Sequence, residues 1–195
     1  MMSDTTPGDL PAAPPEAEIT AEALADMADQ LRPQTLNFLA WSALWSTLTE
    51  DDLRAAAWEA LELPGDFESI RINYWNTFQV GIPQAPIPAL IHSLMNIDGA
   101  GAREDFMRAA DHLGLSWGHA RLSPDQLGPA CEIFAMAVEQ EEPVIIQHLS
   151  KTYFLPWLDL AQEQLNATAE PQLASMLNLF REHLQEARRL TPIVG

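Results

Sequence analysis

Five histidines, at 92, 112, 119, 148 and 183, a single cysteine and 28 acidic residues are the groups in this 195-residue chain that could hold a metal or move a proton. Metal sites draw His, Cys and carboxylate ligands from short, recognisable spacings. No histidine here stands in such a spacing with another ligand, so neither a metal nor a cofactor is expected. Cys131 falls on the apolar stripe of its helix, where a thiol packs as a small hydrophobe and stays un-ionised. Gly99-Ala100-Gly101 follows no strand and precedes no Gly-Lys-Ser/Thr, so it reads as a turn and not a phosphate cradle. Asp51-Asp52 and Glu141-Glu142 suit helix starts and solvated faces. No residue is expected to be catalytic, and the chain reads as a binding protein, not an enzyme.

Binding chemistry is better represented. Tyr74, Trp75 and Phe78 place three aromatics within five residues, just ahead of the proline-rich run Gly81-Ile82-Pro83-Gln84-Ala85-Pro86-Ile87-Pro88. Aromatic rings beside a proline-rich backbone make a groove wall for a peptide. Equally, Tyr74 and Phe78 at i and i+4 fit a helix face packed into the core. A second class of function is a helical small-molecule binder or enzyme with a pocket in the region Trp75 to His92.

The elements that must position these groups are helices. Apolar residues recur at helical spacing between proline and glycine breaks, and strand-like alternation never extends beyond a few residues. The spacing predicts an all-α, single-domain bundle of about nine or ten helices. Thr20 caps a first helix, and Pro33 opens a second that is apolar on most of its circumference and therefore central. Thr49 and Asp52 have capping-box spacing ahead of a third, on Leu53, Ala56, Ala57, Ala60 and Leu61. Phe67, Ile70, Tyr74 and Phe78 define a fourth, and residues 89–97 a short fifth. A turn over 98–101 then leads to a helix over 102–113 that stops at Gly114. Ser123 and Pro124 start the helix on Leu127, Cys131, Phe134 and Val138; Pro143 starts the next, Pro156 forces a kink or restart, and Pro171 opens the last.

Residues 1–18, with Pro7, Pro11, Pro14 and Pro15 among small and acidic residues, are expected to be a disordered tail, with the helical domain spanning 19–195. The acidic N-terminus lacks the basic-then-apolar order of a secretory signal, and no apolar run is long enough to span a bilayer. A cytoplasmic location is expected, in keeping with one cysteine. The formal net charge is −18, with 28 acidic against 10 basic residues, and Lys151 is the only lysine. Such a surface repels nucleic acid and anionic membranes and attracts a cationic partner, although the acidity also serves solubility alone.

Several segments together resemble one family. Ser123-Pro124-Asp125-Gln126-Leu127 and Phe154-Leu155-Pro156-Trp157-Leu158 anchor the likeness, and Asn76 to Gly81, Ile87 to Ser93 and Phe106 to Leu115 follow its order of elements. They are similar to the TorD/DmsD/NarJ group, cytoplasmic chaperones of molybdenum redox enzymes, in which an Asp-His-Leu triplet opens a long helix. Here Gln126 stands in place of that His, His92 in place of a Glu, and Asp111 in place of an aromatic. The resemblance implies a TorD-like helical monomer or homodimer that binds the twin-arginine leader of a molybdopterin-containing oxidoreductase subunit and delays its export until the cofactor is loaded; the missing histidine allows a subgroup whose partner is a subunit's internal or non-exported N-terminus. It also implies a peptide site at Tyr74, Trp75, Phe78, Pro88, His92, Ser93, Pro124, Asp125 and Gln126. Within it, Asp125 accepts an arginine or serves as a helix-start carboxylate, and Gln126 bonds neutrally where a histidine would titrate.

Overall fold

The computed structural model describes residues 30–116, 122–166 and 170–193. The expected tail, the helix capped by Thr20, and His119 lie outside the described residues. The protein is all-α: the described residues contain no strand, and their one β-type contact is an isolated antiparallel bridge between Leu90 and Gln126. The helices are α1 (Pro33–Trp45), α2 (Asp51–Ala60), α3 (Phe67–Tyr74), α4 (Ile91–Met95), α5 (Gly99–His112), α6 (Leu127–Glu139), α7 (Pro143–Leu149), α8 (Leu155–Leu165) and α9 (Pro171–Leu190). Single π-helical turns, at Trp75–Gln79 and Ser150–Phe154, join α3 to the proline-rich loop and α7 to α8.

Helix α1 is the centre, as its nearly continuous apolar circumference demands. It packs most extensively along α6 and also meets α2 and α9. Phe38, Trp41, Leu44 and Trp45 are all buried. Around them the rings of Phe134, Phe154, Trp157 and Phe180 meet edge-on or tilted, Phe38 lying 4.6 Å from Phe134 and Trp41 4.9 Å from Phe180. Each such pair contributes about 0.5–1.5 kcal/mol beyond its area. The close approach of α1 to α6 depends on Gly128, where a Cβ would come within 2.9 Å of Ser46 Cα.

Helix α2 turns a different face inward from the one its alanines suggest. Arg54, Ala57, Trp58 and Leu61 are buried, and Leu53 is exposed. The reason is Arg54. Its guanidinium donates to the Leu44 carbonyl at 3.2 Å, the Ser46 carbonyl at 2.7 Å and Asp51 at 2.8 Å, and it lies 4.8 Å above the Trp75 ring. A cation that satisfies carbonyls at the C-terminus of α1 also meets the negative end of its dipole. The expected Thr49 cap does not form; Glu50 is the cap residue and makes no side-chain bond.

Two further boundaries differ from expectation. Residues 99–101 are not a turn but the start of α5, because Asp98 caps the Ala100 and Gly101 amides, each at 3.0 Å. Those two backbone donors hold the Asp98 carboxyl below its ordinary range. Helix α6 begins at Leu127, so Ser123 to Asp125 form a turn ahead of it. Pro156 marks a restart, as expected: it sits in the first turn of α8, and the preceding π turn passes the chain into α8, with the Leu155 amide bonding the Ser150 carbonyl.

Candidate functional site

The proline-rich loop and the segment before α6 are knotted by backbone hydrogen bonds. The Ile91 amide donates to the Asp125 carbonyl at 3.0 Å, the Leu127 amide to Ala89 at 2.9 Å, and the Trp157 indole N–H to the Pro88 carbonyl at 3.1 Å. Segments 87–93, 123–127 and 154–158, far apart in sequence, therefore meet at one point. At its centre Asp125 is fully buried and bonded to His92 Nδ1 and, at 2.5 Å, to the Ser123 hydroxyl. A buried carboxylate survives because such partners replace its water.

This geometry corrects several expected roles. Asp125 lies before the helix and has both carboxyl oxygens occupied, so it is neither a first-turn dipole partner nor an open arginine acceptor. Tyr74 and Phe78 belong to the core: both rings pack on Trp45, and the Tyr74 hydroxyl donates to the Leu44 carbonyl at 2.6 Å. Burial pushes the Tyr74 hydroxyl well above its ordinary range. Pro88 and Pro124 are buried. Trp75 is half-covered beneath Arg54, Gln126 is half-buried, and Ser93 donates to Gln84 at 2.7 Å. His92, about a quarter exposed, reaches solvent from the knot.

Two clefts elsewhere carry carboxylates. One, of about 580 Å³ between α5 and α7, has Ala109, Val144, Ile145 and Leu149 with Asp105 and Glu142. Its acids are already engaged. The Tyr153 hydroxyl, 2.7 Å away, and His148 hold the Asp105 carboxyl below its ordinary range, and His112 lies 3.5 Å from Glu142. The other, of about 760 Å³ between α2 and the start of α3, contains Asp52, Glu59, Glu62, Asp66 and Glu68 around Ala55, Ala56, Trp58, Leu63 and Phe67, and among the described residues no basic one lines it. Asp66 caps Ser69 and Glu68 pairs with Arg71, whereas no ion pair engages Glu59 or Glu62 among the described residues.

Glu62 also occupies unusual backbone. Its φ is +53°, and the bonds from Glu62 N–H to Glu59 and from Leu63 N–H to Trp58 make a Schellman end to α2. That position favours glycine, and a side chain there costs about 1–2 kcal/mol. The sequence offered one signal for this cleft, the acidic residues on both sides of Leu63-Pro64-Gly65, but a charge run alone does not reveal a concavity.

No family model, curated protein or solved structure matches this chain. Among the described residues no cluster of three or more His, Cys, Asp or Glu could hold a metal ion, and no helix is long and apolar enough to cross a membrane. Cys131 is fully buried, and burial pushes its thiol well above the ordinary value.

Proposed function

We propose that this protein is a cytoplasmic maturation chaperone of the TorD-like kind, which binds the basic, apolar leader of a molybdenum-containing oxidoreductase subunit and acts without catalysis. The observation that carries the reading is the cleft between α2 and α3, where unpaired Glu59 and Glu62 border apolar Ala55, Ala56 and Leu63. A twin-arginine leader presents two guanidinium groups followed by an apolar run, so it needs carboxylates beside greasy surface. The α5/α7 cleft is the weaker receptor, because an incoming arginine there must displace His112 and His148. The family part of the reading rests on the motifs, and it is supported by the meeting of 87–93, 123–127 and 154–158 in one knot.

Glu62 separates binding from folding. Glu62→Gly relieves a left-handed side chain, so the variant should be as stable as the parent or more so. Its carboxylate is exposed, and an exposed ion pair is worth about 0.2–1 kcal/mol, a factor of roughly 1.4 to 5 in affinity. With Glu59→Gln added, the loss should reach between about twofold and thirtyfold, and it should shrink as salt rises. Titration of a labelled twin-arginine leader, monitored by anisotropy, measures this. Unchanged affinity in the stable double variant overturns the assignment.

A further inference from the structure

We propose that the cleft between α7 with its following π turn and the end of α9 binds a small, multiply charged oxyanion. This goes beyond leader binding and does not depend on it. The cleft has a volume of about 450 Å³ and is lined by Gln147, Lys151, Gln185, Arg188 and Arg189, with Pro192 and Ile193 as its apolar edge. In a chain with 28 acidic and 10 basic residues, each cation should find a carboxylate. Most do: Arg32 pairs with Glu141, Arg54 and Arg71 with Asp51, Arg108 with Glu104, and Arg181 with Asp159. Lys151 and Arg188 have no carboxylate partner among the described residues, and Arg189 has only Glu186 at 3.8 Å. Arg103, on α5, is also without a carboxylate partner among the described residues, but the other three lie together in one cleft.

Arg188 is also held in place. Its Nε donates to the Gln147 side chain at 3.1 Å, and the same amide returns a 2.9 Å bond to the Arg188 carbonyl. This clamp between α7 and α9 fixes the guanidinium plane and leaves both terminal amino groups without a partner among the described residues, the fork that grips two oxygens of one anion. Lys151 supplies a point charge and Gln185 an amide donor. Opposing them are Glu186 and the negative end of α9, whose Ala187 carbonyl is already bonded by the Thr191 amide and hydroxyl.

The surrounding charge selects the size of the ligand. Screening confines each carboxylate's repulsion to about 8 Å at physiological salt, so a small anion in the cleft feels mainly the three cations. A long polyanion would run out over the acidic surface and be repelled. The shared chemistry is therefore a compact oxyanion with two or more charges, either a di- or triphosphate group or a polycarboxylate.

Lys151 makes the test direct, because it is the only lysine and an amine-reactive reagent modifies no other side-chain amine. The rate of its acetylation, read by peptide mass spectrometry on the full chain, is measured with pyrophosphate, with citrate, and with chloride at matched ionic strength. Either oxyanion should slow labelling by at least about fivefold, and Arg188→Gln should abolish that protection, as expected for a charged fork. Stronger protection by pyrophosphate identifies a phosphate ligand, and stronger protection by citrate a polycarboxylate. Arg103→Gln, an arginine outside the cleft, should leave protection intact. Labelling unaffected by both anions, slowed equally by chloride, or still protected in Arg188→Gln overturns the proposal.

Discussion

Asp125→Asn tests whether the buried carboxylate builds the fold or receives the ligand. The wild-type oxygens face two donors, His92 Nδ1 and the Ser123 hydroxyl. Asparagine keeps one acceptor and turns an NH2 group toward the other donor, so one hydrogen bond to a charged group is lost. Such a bond is worth about 1.5–3 kcal/mol. For a domain of this size each kcal/mol moves the melting temperature by about 2–4 °C, which gives a drop of about 3–12 °C. Because Asp125 is fully buried and lies outside the α2/α3 cleft, leader affinity per folded molecule should not change. Thermal denaturation followed by circular dichroism gives the first quantity, and peptide titration well below the transition gives the second. A tenfold loss of affinity with an unchanged melting temperature would refute the structural assignment and return Asp125 to the ligand.

Gly128→Ala should destabilise the protein by about 1–3 kcal/mol, measured by urea denaturation, because the added carbon presses on the backbone of Ser46 where α1 and α6 cross. His183 should make stability fall on acidification. Burial depresses its pKa below 6.5, and its Nδ1 accepts the Trp41 indole N–H at 2.9 Å, a bond open only to the neutral ring. The unfolded chain therefore takes up the proton first, so this contribution is complete above pH 6.5 and is lost as pH falls from there through the folded pKa. Melting temperatures between about pH 7.5 and 5 should show a shallower decline in His183→Gln, whose side chain can still accept from Trp41; identical slopes would remove the histidine from the account.

Much of the fold was legible because its signals are local. Pro143 and Pro171 occupy first turns, Gly114 sits at φ +75° after α5, and Leu173, Leu177, Phe180 and Leu184 face the core from α9 at the spacing that the sequence displays. The breadth of apolar residues on α1 announced its central place. What the sequence hid is non-local or depends on tertiary competition. Asp125 and His92 are 33 positions apart, and only the pairing of the two loops makes the carboxylate structural. Arg54 reads as a surface residue until the carbonyls ending α1 appear beside it. Tyr74 and Phe78 had two readings, and the rings around Trp45 select the packed one. The shape of the α2/α3 cleft is not legible in the sequence because it comes from a Schellman turn built on glutamate, where glycine is the legible choice.

On the proposed function, a basic leader enters between α2 and α3. A twin-arginine peptide carrying a photo-crosslinker beside its arginines, irradiated with the full chain and mapped by mass spectrometry, tests it most directly. Adducts are expected on Ala55, Ala56, Glu59, Glu62 and Leu63, suppressed by excess unlabelled leader. Competed adducts confined to His92, Ser93 and Gln126, with none on α2 or the loop after it, would contradict it.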